Sequence, residues 1–141
     1  MSKQSEQIKW EEKQKGIIKI FEEQGLKPDL QMLKIWVMGF GYSALYNAEN
    51  DEKIKEIIER YNLKSFDDAK LISEIEQLEE QEQKVIKTRY GIEKDGIMIT
   101  SKATGKILGI GTRDVNKYKN NAIEQLSIVY KTYKKGQSLN F

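Results

Sequence analysis

The side chains whose types and spacing could do chemistry are Thr112, Arg113, Asn116, Lys117 and Asn120. Steps of three and four residues put them on one face of a helix. Arg can read guanine through two hydrogen bonds, Asn can read adenine, and Lys can take guanine or a phosphate. Asp114, to one side, is the only acid there. Lys102, Lys106 and Lys119 are near in sequence and suit phosphate contacts, which hold a protein on a duplex without reading it. A helix N-terminus itself favours a phosphate. These eight residues are the expected DNA-binding set, and double-stranded DNA is the expected partner.

Such a face needs a frame to aim it, and 101–120 supplies one that fits a helix-turn-helix. That unit needs a small residue where two helices touch and a turn residue that tolerates a left-handed backbone. Gly105 fits the contact and Gly109, four residues later, fits the turn. Ile110 takes the buried turn position. Val115, Tyr118, Ala122 and Leu126 form the stripe that faces back. Thr100 or Ser101 caps a short helix to Leu108, and Thr112 is the expected N-cap of a long helix to Tyr130 or beyond. The plainer reading of the same residues is a helical hairpin in a packed bundle, its polar side turned to water.

The rest of the composition removes most other chemistry. The 141 residues contain no Cys and no His. Disulfides, thiolate or imidazole metal sites and histidine acid–base chemistry are excluded. Gly109-Ile110-Gly111-Thr112-Arg113-Asp114 lacks the third Gly and the preceding strand of a dinucleotide fingerprint. Thr104-Gly105-Lys106-Ile107 has Ile where a phosphate loop has Ser or Thr. Asn47 to Asp51 lacks the Gly and the closing Glu of a calcium loop. Glu52/Glu56 and Glu79/Glu82 have the spacing of solvated helix faces. No catalytic, cofactor or metal site is expected, and the chain is not expected to be an enzyme.

The elements behind the site are helical throughout. One proline and heavy use of Lys, Glu, Gln and Ile favour helix. The pattern predicts helices at 8–24 (Trp10, Ile17, Ile18, Phe21), at 29–47 with apolar residues on nearly all sides, and at 51–61 (Ile54, Ile57, Ile58, Tyr61). Two more follow, one behind a capping signal at Ser65-Phe66-Asp67-Asp68 (Phe66, Ala69, Ile72, Ile75, Leu78) and one at 79–90 (Val85, Ile86, Tyr90) ending at Gly91. Ile97-Met98-Ile99 is the one candidate strand. The expected fold is all-α, a small helical bundle with a C-terminal helix-turn-helix.

Charge divides the chain. Residues 1–77 carry 12 Lys/Arg and 15 Asp/Glu, a net of −3, and residues 78–141 carry 12 and 7, a net of +5. Within 98–141 the count is 8 against 2, or +6. Hence 1–77 is expected to be a module for dimerisation or partner binding and 78–135 the DNA-binding module, with 136–141 a loose tail. A homodimer would form through 8–61. The apolar 30–46 segment would serve a protein contact or fill a small core. No stretch reaches 18 apolar residues, and neither a signal sequence nor a lipidation motif is present, so the expected compartment is the cytoplasm, away from membranes.

Residues 78–126 also resemble region 4 of the sigma-70 family, the −35-reading module of bacterial sigma factors. The stretch from Leu78 through Arg89-Tyr90-Gly91-Ile92 is similar to its opening helix, and Thr100 through Gly105, Gly109 and Ile110 to Val115, Ala122 and Leu126 to its helix-turn-helix. This covers 49 of 141 residues. The family has an acidic pair and an aliphatic residue where this chain has Lys102, Ala103 and Thr104. Its recognition helix opens Thr/Ser-Arg-Glu-Arg-Val-Arg-Gln, against Gly111-Thr112-Arg113-Asp114-Val115-Asn116-Lys117 here. The Val is kept and almost every base-reading side chain differs. The front 77 residues do not resemble region 2, so the plan is closer to small regulators of phages and mobile elements of the ArpU/RinA type. The resemblance implies a cytoplasmic transcription regulator. As an alternative it implies a region 4 mimic that grips the RNA polymerase β-flap or a sigma factor through the apolar side of Leu78 to Ile92; a third reading, apart from the resemblance, is a phage small terminase-like packaging protein.

Overall fold

The computed structural model describes residues 3–37, Glu52, Glu56, Glu59 and 68–138, with side chains described from Ile8 on in the first segment and up to Ile128 in the last. The protein is a small all-α bundle, and six helices are bounded among the described residues. They are α1 (Lys3–Glu23), α2 (Pro28–Val37), α3 (Asp68–Glu76), α4 (Glu80–Arg89), α5 (Ser101–Leu108) and α6 (Thr112–Ser138). No described helix is long and apolar enough to cross a membrane.

α1 closes where the sequence placed its stop. The Leu26 N–H donates to the Phe21 carbonyl at 3.0 Å and the Gly25 N–H to the Glu22 carbonyl at 3.0 Å. This paired closure reverses the chain within a few residues. Pro28 then opens α2 as its first residue, where a missing N–H costs nothing. The stripe Trp10, Ile17, Ile18 and Phe21 is buried, together with Ile20. In α2 burial reaches all round from Leu30 to Val37, with only Trp36 half-buried. The described part of the 30–46 segment therefore fills the chain's own core. Its remainder, the predicted 51–61 stripe and the cap at 65–67 lie outside the described residues. Glu52, Glu56 and Glu59 are helical and exposed, as solvated faces.

The α3 stripe differs by one residue from the predicted one. Leu71, Ile75 and Leu78 are buried, Ile72 is half-buried and Ala69 is exposed. In α4, Val85, Ile86 and Tyr90 are buried as expected. Glu82 is buried too, against expectation, and accepts a 3.0 Å hydrogen bond from Gln125 of α6. No strand forms at 97–99. The Gln14 amide takes the place of a neighbouring strand: Met98 N–H donates to its Oε1 at 2.7 Å and its Nε2 donates to the Met98 carbonyl at 3.2 Å. Both backbone groups of Met98 are thus satisfied in the core by one side chain.

α6 is the spine, packed against α2, α3, α4 and α5. One cluster of buried side chains runs from Trp10, Phe21 and Leu33 through Leu71 and Ile86 to Ala122 and Leu126. The acidic and basic halves therefore share a core. Ser127 of α6 ties to the Val37 carbonyl at 3.0 Å, and Gly96 packs so closely on Asp29 that a Cβ there would lie 2.9 Å from the Asp29 Cα. The apolar residues expected at a dimer interface in 8–37 are spent on this core, and Ile8 is the one large apolar side chain among them that is exposed. The helical backbone of α6 continues through Ser138, past the Gly136 at which a loose tail was expected to begin.

Candidate nucleic-acid interface

α5 and α6 form the helix-turn-helix hairpin, and its two glycines do different work. At Gly105 a Cβ would sit 2.5 Å from the Ile110 carbonyl oxygen and 3.5 Å from Val115 Cγ2. Only a residue without a side chain lets the turn lie that close to the helix. Gly109 is left-handed at φ 73° and ends α5, with its N–H and that of Ile110 both donating to the Gly105 carbonyl at 2.8 and 3.0 Å. Thr100 caps the start, its hydroxyl accepting from the Ala103 N–H at 3.1 Å. Thr104, fully buried, donates its hydroxyl to the Thr100 carbonyl.

The cap of α6 is one residue earlier than predicted. The Val115 N–H donates to the Gly111 carbonyl at 3.0 Å, so Gly111 holds the N-cap position and Thr112 is the first helical residue. Val115, Ala122 and Leu126 are buried as expected. Ile110 and Tyr118 are half-buried.

That frame sorts the eight expected residues. Thr112, Arg113, Lys117 and Asn120 are exposed along one side of the start of α6, and none of their side chains is bound to another described residue. Asp114 is exposed to one side. Asn116 is half-buried and turned toward α5, where the Ser101 hydroxyl donates to its Oδ1 at 2.6 Å. It braces the hairpin, a role its type and spacing alone did not show. Lys102 is exposed in the first turn of α5, beside the Ser101 that meets Asn116. Lys106 is exposed in the last turn, roughly 6 Å farther along the axis at 1.5 Å per residue. Lys119 is half-buried toward α4. Burial, and then the nearby Arg89 charge, hold its ammonium below the ordinary lysine range.

Arg89 is the residue that the sequence reading passed over. Its Nη1 donates to the Ile99 carbonyl at 2.6 Å, and its guanidinium lies 5.5 Å from the centre of the Tyr90 ring. It is thereby held against the strand-like lead into α5, on the side where Lys119 stands. Its position in the last turn of α4 was visible in the sequence. Its neighbours were not, because they are 10 and 30 residues away.

No family model matches this chain, and no curated protein or solved structure does either.

The geometry bears on one alternative reading as well. In the polymerase-binding alternative, the apolar side of Leu78 to Ile92 is the grip on the flap. Leu78, Val85, Ile86, Tyr90 and Ile92 are instead buried within the chain. Among the described residues no group of acids is placed to hold a metal ion.

Proposed function

We propose that this protein binds double-stranded DNA through the α5–α6 hairpin, with the start of α6 in the major groove, and acts as a sequence-specific transcription regulator. The observation that carries this reading is the Gly105 contact. It sets the crossing of α5 and α6, buries Val115, and leaves Arg113, Lys117 and Asn120 exposed side by side, with no side-chain partner among the described residues. Donors of this kind at a helix start match base edges and phosphates. Lys102 and Lys106 supply flanking charge for the backbone. The resemblance read in residues 78–126 to sigma region 4 would imply the same partner.

The test is recovery and sequencing of fragmented source DNA bound to the purified protein at about 150 mM salt, where charge attraction alone is weak. A discrete motif is expected. Arg113→Ala and Lys117→Ala should each weaken binding to that motif by about 1–3 kcal/mol. Because both side chains are exposed and without partners among the described residues, unfolding free energies should stay within about 0.5 kcal/mol of the parent. Uniform recovery that vanishes with salt would refute the sequence-specific reading.

A further inference from the structure

Away from the hairpin, a cavity of about 180 Å³ opens where the first turn of α2, the end of α3 and the loop after α4 meet. It is smaller than the roughly 300–1,000 Å³ of pockets that hold drug-sized ligands. Its floor is aliphatic and branched: Leu30, Ile72, Ile75 and Ile92. Part of its rim is internally fixed. Lys87 is paired with the Glu93 carboxylate at 3.3 Å, and the Asp29 carboxylate accepts the Glu93 N–H at 2.9 Å. Glu93 is the one described non-glycine residue with a left-handed backbone, φ 68°.

Two rim charges are left over. Lys27 and Glu76 line the same cavity, are exposed, and have no side-chain partner among the described residues. One cation and one anion over an aliphatic floor are complementary to a small zwitterion with a branched hydrocarbon group. We propose that this cavity binds a free branched-chain α-amino acid, its carboxylate toward Lys27, its ammonium toward Glu76 and its side chain on the isoleucine and leucine floor. The walls come from both halves of the chain, so a bound ligand bridges them. The proposal stands apart from the DNA reading, and its test contains no nucleic acid.

The experiment is an amide NMR titration of the full chain with L-leucine, L-isoleucine and L-valine, against glycine, L-glutamate and L-lysine. The expected result is saturable shifts at Leu30, Ile75 and Ile92 for the branched amino acids alone, with Kd of about 0.1–1 mM for so small a ligand. Isopentylamine, which lacks the carboxylate, and 4-methylpentanoate, which lacks the ammonium, should each bind at least tenfold more weakly than leucine. Glu76→Gln should abolish the advantage that the ammonium gives leucine over 4-methylpentanoate. Lys27→Gln should abolish the advantage that the carboxylate gives leucine over isopentylamine. Both residues are on the surface, so these variants keep the fold. No saturable shift at about millimolar ligand, or binding that both variants leave unchanged, would overturn the proposal.

Discussion

In α1 and α2, Gln14, Gln31 and Lys34 are sealed in and paired, whereas at the start of α6 Arg113, Lys117 and Asn120 stand in water with no partner among the described residues. Gln14 and Gln31 are fully buried and Lys34 is 1% exposed. Gln14 holds Met98, and Lys34 binds Asp68 at 2.6 Å while Gln31 contacts both. Arg113, Lys117 and Asn120 have no such partners among the described residues. A buried polar group must find its partner inside or it costs folding free energy. A solvated one has no such need and is available to a second molecule. The contrast separates residues that hold the fold from residues that can act, and it ranks the variants that test it.

The largest effect is expected at Asp68. Removing its carboxylate takes the 2.6 Å ion pair away from the buried Lys34 ammonium, so Asp68→Ala should cost about 3–5 kcal/mol in urea unfolding. Lys34→Met should cost less, because Asp68 is 31% exposed and can be rehydrated. Where either variant is still folded, DNA affinity should match the parent. If Asp68→Ala unfolds within about 0.5 kcal/mol of the parent, the network holds nothing together.

Tyr90 lies where the two regions meet, its ring 5.9 Å from that of Trp36 of α2. Burial pushes its hydroxyl from 10.0 up to about 12, with Arg89 opposing. The unfolded chain therefore ionises this group first. Its contribution is fully present below pH 10 and is lost as pH rises toward 12. Across that window the parent should lose roughly 2–3 kcal/mol more than Tyr90→Phe, measured by unfolding at fixed pH steps.

Gly105→Ala comes next. The added methyl meets the Ile110 carbonyl at 2.5 Å, and a backbone oxygen cannot turn aside as a flexible side chain can. A cost of about 1–3 kcal/mol is expected from this overpacking. Unlike Asp68→Ala, this change should also weaken DNA binding in the folded protein, because it moves the start of α6. Equal binding by the two folded variants would separate the hairpin geometry from the interface.

The hairpin was legible in the sequence because its determinants are local. Thr100, Gly105, Gly109 and Val115 lie within sixteen residues and each has one strong backbone or packing preference. The helix stops at Gly25 and Gly91 were legible for the same reason. The front network was hidden, since Gln14 and Met98 are 84 residues apart and Lys34 and Asp68 are 34 apart. No pattern in α1 or α2 announces a partner that far away. Lys34 stands inside the apolar 30–46 segment, and only the position of Asp68 turns it into part of the core. The displaced stripe of α3 has a simpler cause. Both Ala69 and Leu71 are apolar, and which of them faces inward depends on the neighbouring helices.

Asn116 is the residue that crosses the divide. It lies among the exposed polar residues of α6, yet its Oδ1 is held from inside by Ser101 at 2.6 Å. A brace and a base reader respond differently when this bond is cut. Ser101→Ala and Asn116→Ala should each cost about 0.5–1.5 kcal/mol in unfolding free energy, the usual worth of one hydrogen bond. The double variant should cost less than their sum, because the second change has nothing left to break. On DNA, Ser101→Ala should lower affinity only a few-fold and to the same extent for all sites, since it loosens the start of α6 without removing a donor from Arg113, Lys117 or Asn120. A change in preference confined to one base pair, together with full additivity in stability, would move Asn116 from the residues that hold the hairpin to those that read DNA.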